Sequence, residues 1–589
     1  MPTTKIDGSR ITKLKRERDG YIRAKANFNT QYAALSQYYY QREQGNNSYT
    51  PQVIEGEFKN DGAVNDSIGM KSAKAMASAI MGMVWKSEAG TFRLVKSKAV
   101  PDTVQTIDYF KRINEDIAMF FERPKSRFVP SLFKTILESV IYGTSGLTVQ
   151  NGGYQSPLKF SSKTVLSFYI GYDKDGEINA LFIDYNMSAE ELYDGYGAKA
   201  GEAVTSAINQ NDYSRKFIVT EAIKPRKKRT AQRGKLAMPF SSELFMPIEG
   251  VWLEEGGYET LPLKVLFYDK LEYESYGRGP GMEALPTVVQ IQVCNEVLSI
   301  GGELTAQPAM GMYDNGTLAG LAVDLSAGAL NVFNVAGALP TEHPMFPLFT
   351  VGDLSVMYQW FIELKQEVKE YFLLDKLYDL NQQNQRMTLG EVMIRDGIRS
   401  DSLTPIFSQI LAFLDEVLQR AVDILYSMGL LGVVDPENEN DPLVKKLRTN
   451  GFTPFQIPKD VLEVQISGLD WYEIEFINPA SRIMNNEELQ STLKFVETIG
   501  VLGGVDEEFT DVIDPDRTAE KLKELTTTDT VVTRPIEERN KRREARAQMR
   551  MEMAQLEAQV KQAQANQMNS QASASKAGAV TQLTGRERG

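Results

Sequence analysis

Two long helical patterns bracket a weakly charged, glycine-dotted insertion, and this arrangement constrains the chain more than any other feature. The first opens at YGRGPG and then carries neither Lys nor Arg for more than twenty residues. Pro280 and Pro286 suit a hinge and a first helical turn. Leu285, Val288, Val289, Val293, Val297, Ile300 and Leu304 make the helix apolar on much of its circumference, so it is expected to be buried against neighbours. It spans roughly 30 Å. The second pattern, DLSVMYQWFIELKQEVKEYFLLD, places Leu354, Met357, Phe361, Leu364, Val368 and Tyr371 at three-four spacing, with Glu363, Glu367 and Glu370 on another face. Between them, MGMYDNGTLAGLAVDLSAGALNVFNVAGALP has only Asp314 and Asp324 charged. Its short runs predict small strands. Apolar text of this length outside a large core predicts an interface.

The chain around these elements is too long for one ordinary core: 589 residues predict several subdomains. The net charge of -13 argues against a simple basic nucleic-acid binder, although it suits a protein that lets DNA pass without holding it. One cysteine, Cys294, excludes an intrachain disulfide and multi-cysteine metal sites; one histidine, His343, removes His-pair zinc motifs. No apolar run approaches the eighteen or so residues of a membrane span, and MPTTKIDGSRITKLKRERDG lacks the apolar core of a signal peptide. A protein made and used, or assembled, in a cytoplasm is expected.

The first fifty residues read as a basic helix with a solvated charged face and an aromatic cluster, QYAALSQYYYQRE. Asn65, Asp66 and Ser67 offer a cap for a helix through Ala73, Met76, Ala77, Ile80, Met81 and Val84. SLFKTILESVIYG predicts another helix, stopped by glycine, and GLTVQNGG a strand and turn. Two strand-like runs flank Asp173-Lys174-Asp175-Gly176, a hairpin signal; an EF-hand fails because its glycine falls at the fourth loop position. Ser188 and Glu191 form a capping box. Residues 215 to 270 read as antiparallel strands containing KPRKKRTAQRGK, either a contact for nucleic acid or an acidic partner, or an exposed hairpin tip. Asn381 to Gln385 reads as a polar loop. Helical text resumes at Thr388, and VLEVQISGLDWYEIEFINPASR is strand-like. From Pro535 a charged helix carries Met549, Met553, Leu556, Val560 and Ala563 as a narrow coiled-coil seam, followed by a flexible tail.

Catalytic patterns are missing from the text: no G-x-x-x-x-G-K-[ST], no H-E-x-x-H and no G-x-S-x-G occurs. GRGPG could cradle an anion at a helix start but follows no clear βαβ unit. No spaced carboxylate cluster points to a metal. No catalytic residue, cofactor or metal site is therefore assigned.

The order and spacing of NDSIGMKSAKAMASAIMG, VIYGTSGLTVQ, SFYIGYDKDGEI, YGRGPGMEALP, MTLGEVMIRDG and INPASR, together spanning roughly 60 to 485, resemble the phage portal proteins, the head-to-tail connectors of short-tailed, T7-like (podovirus) viruses. The resemblance implies an α+β protomer that assembles into a ring, usually of twelve copies, at one capsid vertex. It implies an N-terminal wing over 1–282, stem helices at 283–305 and 353–375 and a clip at 306–352. A tunnel loop would occupy 376–387, a wing helix and strands 388–484, a crown 485–534, and a C-terminal barrel helix with flexible tail 535–589. It implies double-stranded DNA passing through a channel lined by Glu363, Glu367 and Glu370. Asn381, Gln382, Gln383, Asn384, Gln385 and Arg386 would face DNA in the tunnel loop, and Val332 and Phe333 would lie in the clip interface. Implied partners are terminase, tail adaptors, capsid and scaffold proteins, with no membrane; the implied place is the virion, and the host cytoplasm during assembly. The implied role is structural, not enzymatic. The rivals are a nucleic-acid-processing phage enzyme, which would explain the basic run, and an internal scaffold or ejection protein, which would explain the C-terminal helix.

Overall fold

The computed structural model describes residues 8–40, 64–85, 91–101, 103–226, 234–314, 324–334, 345–348, 351–378 and 389–477, together with 481, 491–492, 494–499, 518 and helical pieces of 542–568. Two compact units divide the chain at Glu487/Glu488.

The first unit begins with α1 (Gly8–Tyr40), α2 (Ile68–Val84), β1 (Phe92–Lys96), α3 (Val104–Glu122) and α4 (Phe128–Tyr142). α3 starts where the Thr103 hydroxyl accepts from the Thr106 amide, and it buries Tyr109, Phe110, Ile113, Ile117 and Phe120 on one face. α4 stops at Gly143, whose φ of 75° lies in the left-handed region. There follow β2 (Thr144–Asn151), β3 (Leu158–Thr164), β4 (Phe168–Tyr172), β5 (Ile178–Ser188), α5 (Ala189–Tyr196), α6 (Glu202–Asn209), β6 (Lys216–Pro225), β7 (Phe240–Met246), β8 (Val251–Tyr258) and β9 (Leu263–Phe267). They form an antiparallel sheet in the order β3-β2-β9 and an antiparallel meander β4-β5-β6-β7-β8.

Local chemistry explains several of these boundaries. The β4–β5 turn forms because Asp173 Oδ1 accepts from the amides of Asp175 and Glu177, with Gly176 at φ 83°. Those carboxylate bonds go to the chain itself. The Ser188–Glu191 capping box starts α5 as its spelling predicts. At α2 the expectation divides: Ser67 makes no side-chain cap, and it is Asp66 Oδ1 that accepts from the Ile68 amide.

α1 departs from the solvated helix expected of its basic text. It lies against the five-stranded sheet, where Leu14, Tyr169, Phe182, Ala222 and Phe245 form a small core. Around that core Arg10 pairs with Glu243 and Glu255 at 2.7 and 2.8 Å, Arg18 with Asp184 at 2.6 Å, and Lys224 with Glu17 at 2.6 Å. Lys25 is fully enclosed: its ammonium donates to the carbonyls of Val165 and Phe168 and stands 4.9 Å from the Tyr169 ring and 5.2 Å from the Tyr276 ring. A helix whose cations meet carboxylates on distant strands cannot be told from a solvated one by its own spacing.

Burial pushes the Lys25 ammonium down to about 7, against the pull of Asp184. Between that value and the ordinary lysine value the unfolded chain holds one more proton than the native chain, so native stability rises with pH by roughly 1.4 kcal/mol per unit in that window. Glu138, pushed up to about 7 by burial, acts mainly in the window below and opposes the climb only near pH 7. The melting temperature of the full chain is expected to climb from pH 7 to pH 9 and Lys25→Met to flatten that climb. Equal slopes in the two proteins would show that the buried amine does not titrate there.

Beyond β9 come α7 (Pro280–Ala306), β10 (Met310–Asp314), β11 (Leu330–Asn334), β12 (Met345–Pro347), α8 (Ser355–Tyr371), α9 (Leu374–Tyr378), α10 (Leu389–Ser427), α11 (Pro442–Thr449), α12 (Lys459–Ile466) and β13 (Tyr472–Phe476). The helix expected over 353–375 thus ends at Tyr371, and Leu373, at φ 51°, separates it from α9. β13 pairs antiparallel with β1, as strand-like text there predicts. The β-branched run Val461–Ile466, however, is helical: Val461 and Val464 are buried at i, i+3, and Asp460 accepts from the Thr103 hydroxyl at 3.1 Å. Tertiary docking overrides strand composition. Arg420 of α10 reaches the carbonyls of Val149 and Thr260, the first at 2.9 Å, and ties this helix to β2 and to the β8–β9 turn. One large core joins α1, α2, α4, β2, β3, α7 and α10, and a smaller one, with Leu192, Val204, Phe217 and Met246, sits under α5 and α6.

In the second unit the described residues are helical, and Met549, Met553, Leu556 and Val560 are exposed within the single chain.

Candidate functional site: a hairpin clamped at its base

The YGRGPG segment enters α7 through backbone-on-backbone packing. A Cβ at Gly277 would lie 2.7 Å from the Gly143 carbonyl oxygen, one at Gly279 would lie 2.7 Å from that of Ser139, and one at Gly281 would lie 2.6 Å from that of Ile141. The glycines are therefore there so that the start of α7 can meet the end of α4. This corrects the anion-cradle reading. The space beside the α7 N-terminus holds the carbonyl oxygens of residues 139–141, the negative end of a helix, which complement its dipole and repel an anion. Tyr39 of α1 closes the contact by donating to the Gly281 carbonyl at 3.0 Å.

Farther along α7 a second fastening appears that the sequence pattern did not single out. Gln292 is buried; its Oε1 accepts from the amides of Asn65 and Asp66 at 2.6 and 2.7 Å, and its Nε2 donates to the Asp66 carbonyl at 2.8 Å. Asn295 donates to the Asn65 carbonyl at 2.9 Å, and Lys365 of α8 pairs with Asp66 at 2.7 Å. One short segment before α2 thus holds both helices. The available signal was weak: Gln292 is one of several polar residues on α7, and only its neighbours Ile291 and Val293 in an apolar run hint that its amide is buried and needs partners.

α7 and α8 pack together where Gly301 lets the Leu354 side chain approach, and Phe361, Leu364 and Val368 are buried. The outward surfaces are mixed. Val293, Val297 and Ile300 of α7 are 55, 42 and 50% exposed, and Val356, Tyr358, Trp360 and Ile362 of α8 are exposed as well. Glu363, Glu367 and Glu370 are exposed on α8, and none has an ion-pair partner among the described residues.

Between the helices the described residues of the insertion form a three-stranded sheet in the order β11-β10-β12. β11 runs parallel to β10, with Val332 opposite Met312 and Phe333 opposite Tyr313. Both Val332 and Phe333 are half-buried, and Phe333 stacks on Phe346 at 6.3 Å. Asn331 and Asp324 brace the sheet with reciprocal bonds of 2.7 Å. Asn381, Gln382, Gln383, Asn384, Gln385 and Arg386 lie outside the described residues, as do His343 and the centre of the basic run, 227–233. Among the described residues no cluster of three or more His, Cys, Asp or Glu could hold a metal, and no helix is long and apolar enough to cross a membrane.

A family model described as bacteriophage head to tail connecting protein matches residues 9–532. A probable portal protein of Bordetella phage BPP-1 is 22% identical over 473 residues, covering 78% of this chain and 78% of its own length. Among solved structures, the virion of a native gene transfer agent particle contains a chain 12% identical with a TM-score of 0.30; the match covers 69% of this chain and 91% of that one.

Proposed function

The chain belongs to the family of phage head-to-tail connecting, or portal, proteins, and from that premise we propose that its copies form a ring at one capsid vertex through which double-stranded DNA is packaged and later released. The observation that carries this reading is the α7–α8 hairpin, fastened to the body at its base by Gln292 and Lys365 and bearing an exposed glutamate row with no ion-pair partner among the described residues. In this reading α7 and α8 are the stem, the β10–β12 sheet is the clip that meets terminase and tail adaptors, and the meander with its flanking helices is the wing. The polar segment 381–386 faces DNA as a tunnel loop, and the exposed methionine–leucine seam of the second unit lines a helical barrel shared between copies.

The glutamates suit a channel wall by charge. A row repeated in each copy becomes a set of acidic collars, and like charge denies phosphate a place to settle, so the duplex slides. The decisive experiment is the mass of the purified chain by light scattering with negative-stain imaging. Rings support the proposal; a monomer with metal-dependent nuclease activity overturns it.

The clip assignment has its own test. Val332→Asp or Phe333→Asp puts a charge into a half-buried position of a small sheet that is remote in sequence from the wing core. Rings or terminase binding are expected to be lost while far-ultraviolet circular dichroism stays at the wild-type level. Normal rings and normal terminase binding in both variants would remove Val332 and Phe333 from the interface.

A further inference from the structure

α8 carries two rows on either side of its buried face, exposed except at Lys369, which is half-buried. One row is Tyr358, Ile362 and Lys369; the other is Val356, Trp360 and Glu367. The spacing is the same in both, i, i+4 and i+11: two apolar residues and then a charge. The charges are opposite. Neither Lys369 nor Glu367 has an ion-pair partner among the described residues, whereas Lys365 is already bound to Asp66. Val356 is 75% exposed and Tyr358 57%, more than a helix flank shows when its own chain covers it.

We propose that these two rows are the two halves of one seam, closed by a second copy of this chain: the Tyr358–Ile362–Lys369 row of one copy docks on the Val356–Trp360–Glu367 row of the next. The inference rests on the ring reading and specifies the contact that closes it. Two different faces that complement each other make a head-to-tail contact, which repeats around an axis instead of ending in a dimer. In a ring the α8 helices of neighbouring copies run the same way at the same height. The facing positions, 358 and 356, 362 and 360, 369 and 367, then differ in height by only two residues, about 3 Å, which side chains of this length span, so each apolar residue meets an apolar residue and Lys369 meets Glu367. Glu367 thereby leaves the channel row for the seam, and Glu363 and Glu370, set between the two rows, remain as the part of that row free to line the channel.

Charge exchange tests the register. Lys369→Glu alone puts two carboxylates at each contact, and Glu367→Lys alone puts two ammonium groups there. Each is expected to raise the concentration at which half the chain is assembled by about tenfold at low salt, and less at high salt. The chain carrying both exchanges restores the attraction and is expected to assemble as wild type. An equimolar mixture of the two single variants is expected to do the same, because alternating copies again set opposite charges together. Trp360→Ala, a change at an exposed side chain, is expected to weaken assembly at all salt concentrations without lowering the melting temperature of the dissociated chain. Wild-type rings with unaffected single variants, or with no rescue in the double exchange, overturn the seam and leave the ring reading standing. A wild-type chain that stays monomeric at every concentration overturns both.

Discussion

Gly281→Ala is expected to cost the first unit at least roughly 3 kcal/mol and to depress soluble yield sharply, the upper end of what overpacking does. The added methyl would meet the Ile141 carbonyl oxygen at 2.6 Å and its Cα at 2.8 Å. Those are backbone atoms in α4, a helix buried on most of its surface, so no side chain can swing away to make room. Relief would need α4 and α7 to separate, which breaks the Tyr39 bond and the core beneath it. Gly302→Ala supplies the control on the same helix. Nothing lies within 4 Å of a Cβ there, so alanine is expected to leave stability unchanged or raise it by up to about 1 kcal/mol through helix propensity. Thermal melting of the two variants checks both. A Gly281→Ala chain that melts with wild type would mean that α7 is free to move away from α4.

Exchanging Glu363 and Glu370 for lysine together is expected to leave rings intact and to slow DNA packaging about tenfold at low salt, with recovery as salt rises. Each copy then presents two cations where it had two anions, and every collar becomes a place where phosphate settles. Glu367 is left in place because it belongs to the proposed seam. Packaging rate against ionic strength is the measurement. A rate equal to wild type at low salt would put the row outside the channel and leave residues 381–386 as the DNA-facing element.

The two long helices were legible from their apolar spacing and, at the start of α7, from Pro280; Pro286, expected in a first turn, lies inside α7, and with Gly301 and Gly302 it is a competing signal that packing overrides. The antiparallel meander was legible from β-branched runs punctuated by turns with their own side-chain chemistry, as at Asp173. What stayed hidden depends on partners far away in the chain. The glycines of YGRGPG look like an anion loop until α4 is placed against them. Lys25 and Arg18 look like a wetted helix face until strands more than a hundred residues later supply their acceptors. Val461–Ile466 looks like strand because composition records what a surface accepts, not which surface arrives. At the site, the glutamate row was legible as a face of α8, while Gln292 and Lys365, which fix where that face stands, were not.

Among the described residues the fastenings of the hairpin lie toward one end. Gly277, Gly279 and Gly281 grip the start of α7, and Gln292 and Asn295 grip its middle; beyond them α7 continues to Ala306 and the chain enters the small sheet. Mechanically this is a beam built in at one end. The deflection of such a beam under a given tip load grows with the cube of its free length, so the far end yields to a modest push while the root scarcely turns. Load applied at the tip returns to the body as torque concentrated on Asn65 and Asp66, two residues joined directly to the first turn of α2. Stiffness is thus set at the root and compliance at the tip, which leaves the tip free to change its chemistry without retuning the body that carries it.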